Sequence, residues 1–230
     1  MRVQAVCGRF NLIDSPEIHW LCETLGIRIL SDQLSHDIAP GNKIAIVHVV
    51  EGERIVSVAT WWLFLDQETL KPNYKYASFN SRSDKLFMKR SISYIPFRES
   101  RCIIPASAFV EGLGDKQTYH KVELEGSAIA FGGLCKENID RETGEIVYST
   151  SIITLPPLVP QWNDIHSKSM PLMLDFEDEA LVEKWLDPEF KDIEEFEPLL
   201  EPKVQKPMIV TKIDKPSKWN PIEDSFMILN

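Results

Sequence analysis

Four side chains in this sequence have the chemistry for nucleophilic or acid–base work: Cys7, Asn80, Glu111 and His166. A cysteine thiolate is a nucleophile, Glu and His donate and accept protons near neutral pH, and an Asn amide both donates and accepts hydrogen bonds. Cys7 opens the run Cys7-Gly8-Arg9-Phe10, and Asn80 opens Asn80-Ser81-Arg82-Ser83. Glu111 closes an apolar stretch that begins at Arg101, and His166 follows a segment broken by Pro156, Pro157 and Pro160. Taken singly, each has an ordinary reading: a buried thiol, a capping amide, a solvated carboxylate, a core imidazole. Their joint occurrence, in order, is what points to a site.

The remaining cysteines, Cys22, Cys102 and Cys135, form no close pair. Their spacing fits neither a zinc ribbon nor a disulfide framework, so reduced thiols and no metal or cofactor are expected. Cys102 and Cys135 fall in apolar strands and read as packing residues.

The elements that must position the four residues are legible in outline. Ser15 can cap a helix, Pro16 suits its first turn, and Ile18, Leu21, Cys22 and Leu25 share one face before Gly26 ends it. Strands are expected at 44–50 and 54–59 around Glu51-Gly52-Glu53. Residues 66–78 read as loop, and 81–90 as a short amphipathic helix with Leu86 and Phe87 inward. The stretch 101–110 contains Pro105 and reads as an interrupted or edge strand. Residues 119–124 and 128–135 read as a hairpin around Glu125-Gly126. A strand follows at 147–154, a helix at 179–186 and a last strand at 208–213. Strands and helices alternate without a βαβ rhythm, so the expected class is α+β, in a single domain over residues 1–230.

The chain is 43% hydrophobic, with 6 Trp and 11 Phe, enough for one sizeable core. It contains no apolar run of about 18 residues, so no membrane span is expected, and a cytoplasmic location is. The net charge of −10 argues at first against nucleic acid. Its distribution matters more. Residues 175–201 carry 12 acidic residues against Lys184 and Lys191, which leaves the rest balanced at 23 acidic and 23 basic. Residues 82–101 hold six basic side chains against Asp84 and Glu99. A locally positive face on an acidic protein is compatible with this pattern, as is ordinary surface charge.

Seven landmarks in order resemble the SOS-response-associated peptidase (SRAP) family. They are Cys7-Gly8-Arg9-Phe10, Ile38-Ala39-Pro40-Gly41, Trp61, Asn80-Ser81-Arg82-Ser83, Arg101-Cys102-Ile103-Ile104-Pro105-Ala106 leading to Glu111, Ala130-Phe131-Gly132-Gly133-Leu134, and Ile152-Ile153-Thr154 followed by Ile165-His166 and Met170-Pro171. The resemblance implies a mixed β-sheet closing partly into a barrel, helices around it, and a groove for single-stranded DNA. It also implies a DNA damage-response function: covalent capture of abasic sites by a cysteine at the mature N-terminus. On a terminal cysteine, an amine of pKa roughly 7.7–8 attacks an aldehyde to give a Schiff base. The thiolate then closes a thiazolidine, helped by the high effective molarity of an intramolecular step.

Cys7 has six residues before it. Three routes are open: translation starting at Val6 with Met removal, processing before Cys7, or loss of the crosslinking reaction. The resemblance further implies that Asn80 bonds the opened sugar or orients the Cys7 amine, that Glu111 shuttles protons, and that His166 is a second acid–base group. It puts Arg9 and Arg82 on phosphates, with Lys168 supplying a positive charge in the longer loop Ser167-Lys168-Ser169. Trp61 or Trp62 becomes a stacking aromatic, with Pro40 and Thr154 lining the groove. Asp37 stands where the family usually has Asn. The partner implied is single-stranded DNA containing abasic sites, which would hold the protein on the nucleoid. Two other functions compete: a thiol peptidase with Cys7 as nucleophile and His166 as base, and a non-catalytic DNA- or protein-binding module of the same fold.

Overall fold

The computed structural model of the chain describes residues 8–229. In chain order the elements are β1 (Arg9–Leu12), α1 (Pro16–Leu25), β2 (Ser35–Ile38), β3 (Lys43–Val50), β4 (Glu53–Trp61), β5 (Asn80–Arg82) and α2 (Tyr94–Glu99). There follow β6 (Arg101–Ala106), β7 (Ala108–Gly112), β8 (Tyr119–Leu124), β9 (Ile129–Ile139), β10 (Ile146–Leu155) and β11 (Met170–Pro171). The last are α3 (Glu179–Leu186), β12 (Met208–Ile213) and β13 (Phe226–Ile228). No helix among the described residues is long and apolar enough to cross a membrane.

Strands β10-β4-β3-β6-β9 run side by side, and β9 pairs back onto β10, so five strands close into a barrel. Beside it lies a second, open sheet in the order β13-β12-β8-β7-β1-β2. This is the mixed, partly barrel-like α+β architecture expected. The two sheets meet over aromatic rings: Phe10 of β1 and Phe109 of β7 each set an edge on Phe131 of β9, at 5.9 and 5.6 Å between centroids.

Local signals produced local structure as read. Ser15 accepts from the Ile18 amide, Pro16 opens α1, and Gly26 closes it at φ 64°. The β3–β4 turn places Glu51 and Gly52 both at positive φ, the backbone that matches strand twist in a tight hairpin. Pro105 is tolerated because β3 pairs with β6 only at Val47–Ile103, so no β3 residue faces the missing N–H at Pro105. The interruption itself falls at Ser107, between β6 and β7.

The strand at 208–213 is not the last, since β13 follows and pairs with it, and two further expectations fail. Residues 81–90 are not an amphipathic helix: Asn80–Arg82 is a strand on β10, and only a single turn at Ser83–Lys85 is helical. Residues 119–124 and 128–135 do not pair with each other. Gly126 turns the chain at φ 62°, but β8 then joins β7 and β12 while β9 enters the barrel between β6 and β10. Long-range pairing overrides the turn.

Arg101 ties the barrel to α3. Its guanidinium is buried and donates to the carbonyls of Phe97 (2.7 Å), Trp185 (2.8 Å), Asp187 (2.6 Å) and Phe190 (3.2 Å). Two of these carbonyls belong to the last turn and cap of α3, where a cation is favourable. Burial lowers the guanidinium pKa to about 10, so it stays charged at neutral pH. Arg101→Met would leave several buried carbonyls unsatisfied, each costing about 1–3 kcal/mol. A stability loss of about 3 kcal/mol or more is therefore expected, read as a lower denaturation midpoint at unchanged slope.

Candidate active site

Glu111 sits where the second sheet meets the barrel. Alternation along β7 points Phe109 and Glu111 to the same inward face, and Glu111 is 1% exposed. The antiparallel register of β1 against β7 sets Phe10 opposite Phe109 and Arg9 opposite Val110. The chain therefore enters β1, through Gly8, beside Glu111. Cys7, the expected nucleophile, lies outside the described residues.

His166 reaches the same rim from the loop after β10. Trp162 anchors that loop: its indole stacks on Phe109 at 6.4 Å, its Nε1 donates to the Ser169 carbonyl, and its own carbonyl accepts from the His166 amide at 2.9 Å. His166 is 3% exposed, with Nδ1 2.6 Å from the carbonyl of Gly112, the residue after Glu111. A carbonyl only accepts, so Nδ1 carries the proton and Nε2 presents its lone pair. Nε2 is buried without a hydrogen-bond partner among the described residues. Burial lowers the His166 pKa below the ordinary imidazole value; the Gly112 bond opposes the fall and the nearby Lys168 charge adds to it. The ring is thus neutral at pH 7, the form in which it can act as a base.

Asn80 comes from the barrel side. β5 runs parallel to β10, pairing Asn80 with Ile152 and Arg82 with Thr154, while Thr154 also faces Pro171 of β11. The His166 loop hence spans from Gly112 in one sheet to β11 in the other. Leu172 closes this path over Gly132, whose amide donates to the Leu172 carbonyl; a Cβ there would meet the Leu172 side chain at 2.6 Å. Arg82 is exposed and forked onto Asp84 at 2.9 and 2.8 Å. Lys168 is exposed, Pro40 half-buried and Thr154 buried.

The stacking role expected of Trp61 does not hold. Its ring is wholly enclosed, with the edge of Phe10 4.9 Å away and Phe79 on another side, so no ring face is open to a base. Trp62 is also buried, its Nε1 donating to the Asn73 carbonyl. Trp61 instead acts as a strut. Its Nε1 donates to the Phe79 carbonyl at 2.9 Å, which fixes the residue before Asn80, while Phe10 ties it to the entrance of β1. The structure thus joins Glu111, His166 and the start of β1 on one rim and links Asn80 to them through Phe10, Trp61 and Phe79. It sets Arg9 apart: the register puts its side chain with Val110, on the face opposite Glu111. There Arg9 is ion-paired with Asp37, which also accepts from Trp219 Nε1 at 3.3 Å.

One residue of this neighbourhood escaped the sequence reading. His120 of β8 is the register partner of Glu111, so the two side chains leave adjacent strands on the same face. The signal was available: Phe109/Glu111 and His120/Val122 are two short alternations, each placing one ionisable residue on an apolar face.

The sequence pattern of the SOS response associated peptidase (SRAP) family matches residues 6–216. No curated protein matches the chain. Among solved structures, a protein from Bacteroides thetaiotaomicron superposes with a TM-score of 0.70 at 21% identity, covering 96% of this chain and 100% of its own. A protein from Bordetella bronchiseptica gives 0.68 at 18% identity, covering 91% and 100%. A phage-related protein from the same organism gives 0.65 at 15% identity, covering 94% and 99%. At these identities the likeness is one of fold.

Proposed function

The chain belongs to the SOS response associated peptidase (SRAP) family, and on that premise we propose that it is a DNA damage-response protein that captures abasic-site aldehydes in single-stranded DNA through Cys7. The family's description ties it to the SOS response and to peptidase chemistry. The observation that carries the finer reading is the buried Glu111 carboxyl at the entrance of β1, with a neutral imidazole bonded to the next residue. That is an acid–base pair set beside the point where the Cys7 segment joins the fold.

The reaction divides into steps that these groups suit. Once Cys7 is N-terminal, its neutral amine adds to the aldehyde carbon, and the carbinolamine loses water to give an imine. Glu111 supplies the proton that turns the departing hydroxyl into water, and water takes the N–H proton of the iminium so formed. The thiolate then adds to the imine carbon, and the imine nitrogen takes up a proton as the five-membered thiazolidine closes. When the sugar ring opens beforehand, His166 Nε2 takes the proton of the anomeric hydroxyl and returns it to the ring oxygen as the C–O bond breaks. Asn80 holds the opened sugar, and Arg82 and Lys168 meet backbone phosphate, which makes binding salt-sensitive. The same acid–base pair would serve cleavage of the peptide bond before Cys7, consistent with the family's description.

The test is incubation of the protein with a single-stranded oligonucleotide bearing one abasic site, followed by denaturing electrophoresis. A shifted band is expected, and it should vanish when the aldehyde is reduced to an alcohol beforehand. Mass spectrometry of the same preparation establishes the N-terminus. A protein that begins at Cys7 and gives no shifted band would overturn the proposal.

A further inference from the structure

Glu111 gives up a proton when the carbinolamine loses its hydroxyl and must be reloaded before it can act again or in reverse, yet it is 1% exposed. Resting on the reading above, we infer that His120 is the relay through which the Glu111 proton reaches water, along a row of ionisable side chains crossing β7, β8 and β12. The row is set by register. His120 lies opposite Glu111 on one side and opposite Lys212 on the other. Two residues away, Phe109, Val122 and Val210 form the parallel apolar row, and all three are wholly buried. The polar row therefore shares the core-facing side of the sheet.

Its far end opens to solvent. Lys212 has a third of its side chain exposed and is ion-paired with Glu223, which is 57% exposed. His120 itself is 6% exposed, and its Nδ1 is buried with no hydrogen-bond partner among the described residues. A buried ring nitrogen without a partner is uncommon and calls for a reason. A relay supplies one, because a relay needs a ring nitrogen free to exchange partners.

The charged groups around His120 set its working state. Lys212 faces it from β12, Glu223 from the segment before β13, Asp164 from the His166 loop and Asp115 from the β7–β8 turn, with Glu111 on β7 and His166 beyond Gly112. Burial dominates and lowers the His120 pKa, with Lys212 adding to the fall and the three carboxylates opposing it. The ring is therefore neutral at pH 7, with one N–H and one lone pair. It takes a proton from Glu111 on one nitrogen and releases the proton of the other toward the Lys212–Glu223 end. Glu111 is left ionised and the ring neutral; reverse passage reloads the carboxyl and restores the tautomer.

His120→Phe keeps an aromatic ring beside Val122 while removing both nitrogens. Its covalent trapping of an abasic-site oligonucleotide should slow by at least about tenfold, less than the 10²–10⁴ of a group acting directly on the reactant. Across roughly pH 5 to 8 the rate should keep only the imidazole dependence that belongs to His166. Lys212→Met, at the exposed end, removes the cation that holds the His120 pKa down. It should shift the acidic limb of the parent's rate–pH profile upward, and it gives a reading even if His120→Phe does not fold. Parent-like rates and pH profiles in the variants that fold would overturn the relay. A parent protein with no covalent product would instead defeat the proposed function.

Discussion

Cys7→Ala, in protein whose N-terminus is residue 7, is expected to abolish the covalent product that survives denaturation, while leaving non-covalent affinity for single strands unchanged. The reason lies in which atoms remain. The variant keeps a terminal amine of pKa roughly 7.7–8, so it still forms an imine with the aldehyde. What it lacks is the neighbouring sulfur, whose attack on that imine draws on effective molarities of about 10⁵–10⁸ M. The imine is left to hydrolyse. Borohydride added during the incubation reduces it to a stable amine, so a crosslinked band should reappear for Cys7→Ala under reducing trapping alone. Acetylating the amine of the parent removes the first step and should abolish both bands. A thiol peptidase would behave otherwise, since it needs the sulfur and not the amine. Parent protein that retains its covalent product after acetylation would defeat the thiazolidine.

How much of this was legible in the sequence follows the range of the forces involved. Helix α1, the β3–β4 hairpin and α3 are set by caps, a tight turn and apolar periodicity within a dozen residues, and all three were readable. The Glu125-Gly126 turn was equally visible, yet the strands on either side belong to different sheets. What separates them is pairing of β9 with β6 in the barrel and docking of β8 on β12, pairings between segments far apart in the chain. Burial was similarly beyond local reading at Trp61 and Trp62. Both adjoin a strand end, and only the arrival of Phe10 and Phe79 decides that Trp61 is a strut. Glu111 and His166 were found as members of an ordered set of landmarks. Their meeting at Gly112 depends on Trp162 stacking on Phe109, which no spacing rule encodes.

Glu111→Gln should slow formation of the crosslink by about 10²–10⁴, or roughly 3–5 kcal/mol of barrier, without changing its final yield. Glutamine has nearly the shape of glutamate, so a side chain 1% exposed between β1 and β8 keeps its packing. What it cannot do is give up or take a proton at neutral pH. Loss of water from the carbinolamine then relies on solvent, and little solvent reaches a buried position. A proton donor lowers the barrier in both directions, so reversal of a preformed crosslink should slow by a similar factor and the equilibrium should stay put. That pairing separates the role of Glu111 from that of Cys7, whose loss removes the product itself. It also separates it from a structural role, because a misfolded pocket would lower the yield together with the rate. Equal rates for parent and Glu111→Gln, at equal stability, would mean that protons reach the reacting carbon by another path and that burial of this carboxyl serves only the packing of β7.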